Sequence, residues 1–521
     1  MSPEPPERGA VAAPADLNWT SVLEHHAART PDRPMAVSAA RSATYAEALD
    51  RSLRVAGGLS ARGVGRGDVV GLLSYNSVEM LETIFAANAL GAIAMPINWR
   101  LAAPEIRYLL EHSGAGALVC DAELLDLGGD AAAGLDLLRI CVPVPGIDGA
   151  GGDGWATFEE LAAAEPAPRA EAAGSDVHRL MYTSGTTGRP KGVMLTHANL
   201  AWKNAAHVAE LGFTAADVGL ACGPLYHVGA LDLITTSLIS VGATTVVHRT
   251  FDAAAVVDEI ERSRVTCVWM APAMLRAVLD EPDVERRDLS SVRLIIAGGE
   301  KLPIPFIDRL ERTFPSAWLA DAYGLTETVS GDTFLDPAST RSKLGSVGRP
   351  CPYLDLQVWD AEGRPVPPGE RGEVVLRGPK VFAGYWRDPD ATARAFEGGW
   401  FHTGDIGVVD ADGYVYIVDR LKDMIISGGE NIAGSEVERV LDEHPAVLEV
   451  AVVGRPHERW GEVPVAYVVA RPGSAPTADE LIEHCRGQLA RFKVPADVEF
   501  LEALPRNPSG KVLKRELREE R

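Results

Sequence analysis

The chain has 521 residues and a formal net charge of −23, with 46% hydrophobic and 24% charged residues. This length predicts at least two domains, and the negative charge argues against general binding to nucleic acid or to anionic membrane surfaces. Six scattered cysteines include no CxxC pair, so no zinc or redox site is indicated. Because no apolar leader and no 18-residue apolar stretch occurs, we expect a cytoplasmic protein without a membrane span.

Residues 1–16 are rich in Pro and Ala and are predicted to be disordered. From Trp19 onward, strand-like and helix-like segments alternate. Strands are predicted over 68–74, 116–121, 244–249, 266–272 and 291–300, and helices over 77–92 and 251–265. Near-continuous apolar strands between helices are typical of parallel α/β architecture. The Gly-, Ala- and Pro-rich segment 143–176 is predicted to be a surface excursion.

The last hundred residues have a different pattern. A helix is predicted over 434–445, two strands follow it, and an amphipathic helix is predicted over 477–492. This pattern indicates a small α+β unit, and the charged segment 419–423 marks the predicted boundary.

The segment 182–192 (YTSGTTGRPKG) follows a short apolar run that we predict to be a strand. Gly185 and Gly188 allow the backbone to direct its N–H groups toward one point, and Lys191 supplies a cation suited to phosphate. The loop carries four hydroxyl side chains: Thr183, Ser184, Thr186 and Thr187. It is not a Walker A loop, because Gly192 follows the lysine where that motif needs Ser or Thr. We predict a loop that binds a di- or triphosphate; the alternative is an ordinary polar turn.

A second candidate segment is 321–333 (DAYGLTETVSGDT). Tyr323 offers a flat ring for a base, and Gly324 allows close approach of the backbone. Thr326 adds a hydroxyl, and Glu327 is a hard oxygen ligand suited to a Mg²⁺ ion that bridges phosphates. The alternative is a capped helix start with a buried tyrosine.

Two further candidate segments lie toward the C-terminus. In 400–432, Asp405 follows a Thr-Gly turn and could accept both hydroxyls of a ribose, and Arg420 could pair with a phosphate or the same sugar. The alternative there is a surface β-meander. In 505–517, Lys511 follows Ser-Gly among other cations. The alternative is a solvated basic C-terminus.

In this order, the segments resemble the adenylate-forming (ANL) superfamily of acyl-CoA synthetases, luciferases and peptide-synthetase adenylation domains. The resemblance runs from about Trp19 to the C-terminus and rests on YTSGTTGRPKG, YGLTET, the WFHTGD block, DRLKD and PSGK. The stretch SGGENI and the C-terminal RFKVPADVEF favour the acyl-CoA ligase branch. The resemblance implies a large N-terminal multi-sheet α/β domain over 17–419. It also implies a small mobile α+β C-terminal domain over 420–521, with its hinge at Lys422.

The same resemblance implies how the candidate residues act. A carboxylate attacks the α-phosphorus of ATP, and Lys511 withdraws when the C-terminal domain rotates so that the thiol of coenzyme A can attack the acyl-adenylate. Glu327 is the implied Mg²⁺ ligand. The implied ATP-binding residues are Thr183, Ser184, Gly185, Thr186, Thr187, Gly188, Lys191, Tyr323, Thr326, Asp405, Arg420 and Lys511. The implied catalytic residues are Thr187, His227, Glu327 and Lys511.

The acyl pocket in this family is formed by segments that match 224–232, 297–302 and 323–332. Its implied residues are His227, Gly298, Gly299, Glu300 and Gly324. A structural, hydrogen-bonded histidine is the alternative for His227. Asp232 and Asp332 are nearby carboxylates, which favour an amino- or hydroxyl-substituted acid if they face the pocket; they could equally point to solvent. The turn GGEKLP and the lack of Tyr-Pro after GENI depart from many relatives.

The sequence therefore predicts an AMP-forming acid–CoA ligase that acts on a medium-chain or aromatic acid, as a monomer or homodimer. A second interpretation keeps adenylation but changes the acceptor to a carrier-protein thiol, an amine, or nitrite activated for attack by an aromatic amine. A third is a non-catalytic nucleotide sensor, which the presence of Lys191, Glu327 and Lys511 disfavours.

Overall fold

A computed structural model describes the following residues of the chain: 16–144, 146, 154–183, 190–298, 304–420, 423–427, 430–458, 460–486, 488–489, 491–506 and 512–519. Within these ranges the chain forms two compact units. The first contains residues up to Asp355 together with Arg377–Ala395, and the second contains Leu356–Leu376 and the residues from Phe396 onward.

The α-helices of the described residues are α1 (Thr20–Arg29), α2 (Tyr45–Ser60), α3 (Val78–Ala89), α4 (Ala103–Ser113), α5 (Leu125–Ala132), α6 (Phe158–Ala162), α7 (His197–Leu211), α8 (Ser237–Ser240), α9 (Ala253–Ser263), α10 (Pro272–Leu279), α11 (Ile304–Thr313), α12 (Pro389–Ala395), α13 (Gly434–Asp442), α14 (Ala478–Arg486) and α15 (Lys514–Glu519). A π-helix spans Gly229–Thr236, and a 3₁₀ turn spans Thr326–Thr328.

The strands are β1 (Pro34–Val37), β2 (Ser42–Thr44), β3 (Val69–Leu73), β4 (Ile93–Ile97), β5 (Ala115–Asp121), β6 (Leu138–Val142), β7 (Ala156–Thr157), β8 (Val177–Thr183), β9 (Lys191–Thr196), β10 (Val218–Ala221), β11 (Thr244–Val247), β12 (Cys267–Trp269), β13 (Leu294–Gly298), β14 (Trp318–Tyr323), β15 (Thr333–Phe334), β16 (Arg349–Pro350), β17 (Asp355–Trp359), β18 (Arg371–Arg377), β19 (Gly384–Tyr385), β20 (Phe401–Val409), β21 (Val415–Arg420), β22 (Ile425–Ser427), β23 (Glu430–Ile432), β24 (Val447–His457), β25 (Gly461–Ala470) and β26 (Asp497–Phe500).

Two large sheets build the first unit. One has nine strands in the order β16-β15-β14-β13-β12-β10-β11-β1-β2, and the other has eight in the order β19-β9-β8-β4-β3-β5-β6-β7. The strands β10 to β14 pair in parallel. In the second sheet, β3 pairs in parallel with β4 and β5, and β8 pairs in parallel with β4 and antiparallel with β9. The predicted parallel α/β class is thus confirmed, and each of the five predicted strands lies in one of these sheets.

The prediction of a surface excursion over 143–176 is wrong in its central part. Strand β7 pairs in parallel with β6 and extends the eight-stranded sheet. Helix α6 follows directly, and its Phe158 and Leu161 are fully buried. Thr157 caps this helix, since its hydroxyl accepts from the backbone N–H of Glu160. The Gly- and Pro-rich composition of the flanks concealed a short element whose two apolar residues belong to the core.

The second unit contains two smaller sheets. One has the strand order β17-β18-β20-β21, and the other has the order β23-β22-β25-β24, with β26 beside β25. Helices α13 and α14 pack on the latter sheet through buried residues that include Val437, Leu441 and Leu481. The predicted helix over 477–492 is shorter than expected: α14 ends at Arg486, before a glycine in the sequence, and glycine is a poor helix former.

Two general expectations can be compared with the described chain. All six cysteines are buried free thiols. No helix in the described ranges combines the length and the apolar composition that a bilayer span requires.

Candidate active site

The predicted phosphate loop is closed at its base by a pair of antiparallel strands. Strand β8 ends at Thr183 and β9 begins at Lys191, and these two residues face each other in the strand register. The loop residues Ser184, Gly185, Thr186, Thr187 and Gly188 lie outside the described residues. The pairing of Thr183 with Lys191 therefore brings the two ends of this loop side by side in the eight-stranded sheet.

Tyr385 joins the cation of this loop to the predicted metal ligand. Strand β19 pairs with β9, which places the Tyr385 ring centre 4.8 Å from Lys191 Nζ. The Tyr385 hydroxyl donates to Glu327 Oε1 at 3.0 Å, and the Phe382 backbone N–H donates to the Glu327 carbonyl oxygen at 2.7 Å. Tyr385 of β19 thus contacts both the Lys191 ammonium and the Glu327 carboxylate.

Burial and the negative charge of Glu327 raise the pKa of Tyr385. The phenol therefore stays protonated at any physiological pH and serves as a fixed hydrogen-bond donor to the carboxylate. Sequence reasoning missed Tyr385, because a Gly-Tyr pair has no local spacing that points to a glutamate 58 positions earlier in the chain.

The second candidate segment lies at the end of β14, in the nine-stranded sheet. Tyr323 is the last residue of this strand, and Thr326 and Glu327 form the 3₁₀ turn that follows. A Cβ atom at Gly324 would lie 2.3 Å from the backbone N of Gly331, so only glycine allows the chain to approach this closely. The sequence prediction that Gly324 permits a close approach is consistent with this geometry, although the neighbour is the protein's own backbone.

The end of the adjacent parallel strand, β13, carries the predicted pocket residue Gly298. This residue pairs in register with Ala322, one position before Tyr323. A Cβ atom at Gly298 would lie 2.0 Å from the Ala322 carbonyl oxygen. Gly299 and Glu300, which were predicted to line the same pocket, lie outside the described residues. The carboxyl ends of β13 and β14 are thus neighbours, as is usual for ligand sites in parallel sheets.

His227 and Trp269 form an aromatic wall. Their ring centres are 5.9 Å apart and the ring planes differ by 22°. Cβ atoms at Gly223 and Gly229 would lie 2.6 Å and 2.5 Å from the indole, so both glycines make room for Trp269. The His227 ring reaches the protein surface. The protein atoms around it nevertheless desolvate its charged form and lower its pKa, and the negative charge of Asp232 partly opposes this effect.

The orientation of the His227 ring follows from one hydrogen bond. The backbone N–H of Gly229 donates to Nδ1 of His227 at 3.1 Å. Nδ1 is therefore the unprotonated nitrogen, and Nε2 carries the proton of the neutral ring. His227 is thus set up as a hydrogen-bond donor through Nε2 rather than as a cation.

Asp232 and Asp332 do not point to solvent. Asp232 Oδ2 lies 2.5 Å from Arg179 Nη2, and both side chains are fully buried. Asp332 Oδ1 lies 3.0 Å from Lys380 Nζ, and these side chains are 0% and 1% exposed. Each carboxylate is thus paired with a buried cation, which excludes the solvent-facing alternative.

In the second unit, Asp405 is buried on β20. It is 3% exposed, and its backbone N–H donates to the Thr403 hydroxyl at 3.1 Å. Asp405 pairs in register with Arg420 of β21, so the two predicted ribose-binding residues are cross-strand neighbours. Lys422 and Lys511 lie outside the described residues.

The donor set fits a magnesium ion that is held mainly by a nucleotide. Among the described residues, no group of three or more His, Cys, Asp or Glu side chains could hold a metal. Mg²⁺ commonly uses only one or two protein carboxylates together with phosphates and water. Glu327, with its carboxylate oriented by Tyr385, matches that requirement.

Comparisons with known proteins agree with this arrangement. The family described as "AMP-binding enzyme" matches residues 23–386, and the "AMP-binding enzyme C-terminal domain" matches residues 436–511. Feruloyl-CoA synthase of Amycolatopsis sp is 42% identical over 91% of this chain and 93% of that protein. Indoleacetate–CoA ligase of Aromatoleum aromaticum is 40% identical over 95% and 97%.

Solved structures give the same result. The o-succinylbenzoate CoA synthetase of Bacillus subtilis, in complex with the acyl-adenylate intermediate OSB-AMP, has a TM-score of 0.86 and 35% identity over 97% of this chain and 98% of that one. Its complex with ATP and magnesium ion has a TM-score of 0.84 and 34% identity over 96% and 99%. The chain therefore belongs to the AMP-binding enzyme family, and the prediction of an AMP-forming acid–CoA ligase is confirmed.

Proposed function

We propose that the acid which this enzyme activates is aromatic. The observation that carries the proposal is the pair of nearly parallel rings of His227 and Trp269, in which the exposed His227 ring offers a flat surface to another ring. The two relatives named above act, by their names, on feruloyl and indoleacetate groups, which supports the same substrate class. A medium-chain acid remains the competing substrate class.

We further propose that ATP binds with its β- and γ-phosphates in the loop that ends at Lys191 and that Glu327 holds Mg²⁺. Bound Mg²⁺ would neutralise negative charge on the phosphates. Tyr385 orients the Glu327 carboxylate, and the same ring covers one side of Lys191. Thr187 would donate to the phosphates, and Tyr323 would stack near the adenine. Asp405 would hold the ribose hydroxyls, supported by Arg420.

In the first half-reaction, a carboxylate oxygen of the acid attacks the α-phosphorus of ATP. The bond to the bridging oxygen of the β-phosphate breaks, and pyrophosphate leaves. Lys191 and Lys511 stabilise the charge that develops on the phosphates. His227 donates through Nε2 to the acid's carboxylate and holds it for attack. In the second half-reaction, the thiol of coenzyme A attacks the acyl carbonyl and AMP leaves.

The substrate class is tested by pyrophosphate and AMP release from Mg-ATP with carbon-matched acids. Phenylacetate is compared with octanoate, and cinnamate with nonanoate, each with and without coenzyme A. We expect kcat/KM to favour the aromatic acid in each pair, and acyl-CoA to form only with coenzyme A. Equal or higher values for the aliphatic acids would contradict the aromatic assignment. AMP release without a thioester would favour a carrier-protein thiol, an amine or nitrite chemistry.

The role of Lys511 is tested by measuring the two half-reactions separately. Lys511→Ala is expected to abolish adenylate formation and to leave thioester formation from a preformed acyl-adenylate largely intact, because the lysine stabilises charge only in the first step. Lys514→Ala is a matched control, since Lys514 is paired with Glu438 at 2.8 Å. Equal loss of both half-reactions in Lys511→Ala would contradict the assignment.

The remaining proposals concern organisation. A boundary between residues 419 and 420, with rotation of the C-terminal domain about Lys422, would exchange the groups that face the adenylate between the two steps. A cytoplasmic monomer or homodimer is proposed as the working form.

A further inference from the structure

The turn that follows the Glu327 segment has an unfavourable backbone conformation. Val329, Ser330 and Gly331 have φ angles of 56°, 64° and 62°, so three consecutive residues are left-handed. This region disfavours residues with a Cβ atom, and a β-branched valine there is an outlier. Such a conformation persists only when the surrounding structure enforces it, and it occurs preferentially at functional sites.

The Lys380 side chain bonds directly to this turn, together with His207, whose Nε2 lies 3.0 Å from the Gly331 carbonyl oxygen. Lys380 is 1% exposed, and its Nζ donates to the carbonyl oxygens of Ser330 at 2.8 Å and of Gly331 at 2.6 Å. The same Nζ lies 3.0 Å from Asp332 Oδ1. The ammonium therefore has two carbonyl acceptors in the turn and an ion-pair partner directly after it. Thr328 supports the pair by donating to Asp332 Oδ2 at 2.6 Å.

The turn is bonded directly to the residues proposed to bind ATP and Mg²⁺. The backbone N–H of Asp332 donates to the Tyr323 carbonyl oxygen at 2.7 Å, and that of Val329 donates to the Thr326 carbonyl oxygen at 3.1 Å. Lys380 lies in the same segment as Phe382 and Tyr385, which bond to Glu327. The position of the Glu327 segment is thus determined on one side by these two residues and on the other by the turn.

We propose that Lys380 is a positioning residue for ATP and its metal ion. It stabilises the left-handed turn and thereby fixes Tyr323 and Glu327, without contact to the substrates. This inference rests on the roles that the proposed function gives to Tyr323 and Glu327. Without the ammonium, the turn loses the charge-assisted hydrogen bonds that hold its carbonyl groups, and it relaxes toward ordinary dihedral angles.

Lys203 provides a matched control. It is also fully buried, and its Nζ donates to the Asp232 carbonyl oxygen at 2.6 Å and to the hydroxyls of Thr236 and Ser237 at 2.8 Å and 3.2 Å. It donates to no atom of residues 323–332 in these bonds. Replacement of either lysine by methionine removes a buried Nζ with three polar partners, but only Lys380→Met removes hydrogen bonds to the turn.

The experiment measures KM for Mg-ATP, the Mg²⁺ concentration for half-maximal rate, and KM for the acid and for coenzyme A in the full-length enzyme. Lys380→Met is expected to raise the first two values by roughly 10–100-fold, the usual effect of losing a group that orients a metal ligand. KM for the acid and for coenzyme A should change by less than about twofold, and Lys203→Met should leave KM for Mg-ATP near the wild-type value.

A rescue variant distinguishes positioning from general destabilisation. Ser330→Gly in the Lys380→Met background is expected to recover part of the affinity for Mg-ATP, because glycine adopts a positive φ without steric cost. If Lys380→Met is insoluble, Lys380→Gln keeps two N–H donors but loses the ion pair, and its KM for Mg-ATP should still rise. An unchanged KM for Mg-ATP in the soluble variant, or an equal rise in Lys203→Met, overturns the inference.

Glu327→Gln separates this inference from the function on which it rests. If Glu327→Gln loses use of Mg-ATP while Lys380→Met retains a normal KM for Mg-ATP, the proposed function stands and the positioning role of Lys380 is wrong. If Glu327→Gln is as active as the wild type, the metal-binding role fails and the inference about Lys380 fails with it.

Discussion

Removal of one oxygen atom from Tyr385 tests the geometry of the candidate site directly. Tyr385→Phe deletes the hydroxyl that donates to Glu327 Oε1 at 3.0 Å and keeps the ring 4.8 Å from Lys191 Nζ. A hydrogen bond to a charged group contributes about 1.5–3 kcal/mol. Since about 1.4 kcal/mol corresponds to a tenfold change, we expect kcat/KM for Mg-ATP to fall by roughly 10–150-fold.

Tyr385→Leu separates the hydroxyl from the ring. It also removes the cation–π contact with Lys191, which contributes about 0.5–2 kcal/mol, so its kcat/KM for Mg-ATP should be lower than that of Tyr385→Phe. Tyr45→Phe is the matched control, because its buried hydroxyl donates to the Ala243 carbonyl oxygen at 2.7 Å and contacts none of the candidate site residues.

The assay is pyrophosphate release at saturating acid and coenzyme A over a range of Mg-ATP concentrations, with urea unfolding to compare stabilities. A value for Tyr385→Phe within about twofold of the wild type would refute the claim that this hydrogen bond orients Glu327, the proposed metal ligand. The same conclusion would follow if Tyr45→Phe lost as much activity as Tyr385→Phe.

Two further predictions concern the buried charges behind the site. Arg179→Met leaves the Asp232 carboxylate buried without the arginine that lies 2.5 Å from it. The free energy of unfolding in urea should therefore fall by about 3–5 kcal/mol, and the double variant Arg179→Met/Asp232→Leu should recover most of this loss. A loss below about 1 kcal/mol would show that water or Lys203 replaces the arginine. Burial lowers the pKa of Lys203 from 10.5 to about 7. Between pH 7 and pH 10.5 the folded state therefore binds fewer protons than the unfolded state. The free energy of unfolding should then rise with pH in this range, by at most about 1.4 kcal/mol per pH unit. Unfolding curves from pH 7 to 10 should show a smaller rise for Lys203→Met than for the wild type, and identical slopes would contradict the lowered pKa.

The sequence by itself determined the superfamily, the α/β class and the segments that we propose to bind the nucleotide. These features depend on residues that are close together in the chain. The loop from Thr183 to Lys191 needs small residues and a lysine at short spacing, and the buried strands are visible as short apolar runs between helices. Both patterns can be recognised in the sequence without any knowledge of the fold.

Tertiary structure alone decided which side chains support those segments. Tyr385 bonds to Glu327 across 58 positions, Arg179 pairs with Asp232 across 53, and Lys380 donates to Gly331 across 49. Asp232 was visible in the sequence only as a carboxylate near the pocket. Whether a charged side chain faces solvent, substrate or a buried partner depends on which strands become neighbours. That order is set by the packing of whole sheets, so no local pattern in the sequence determines it.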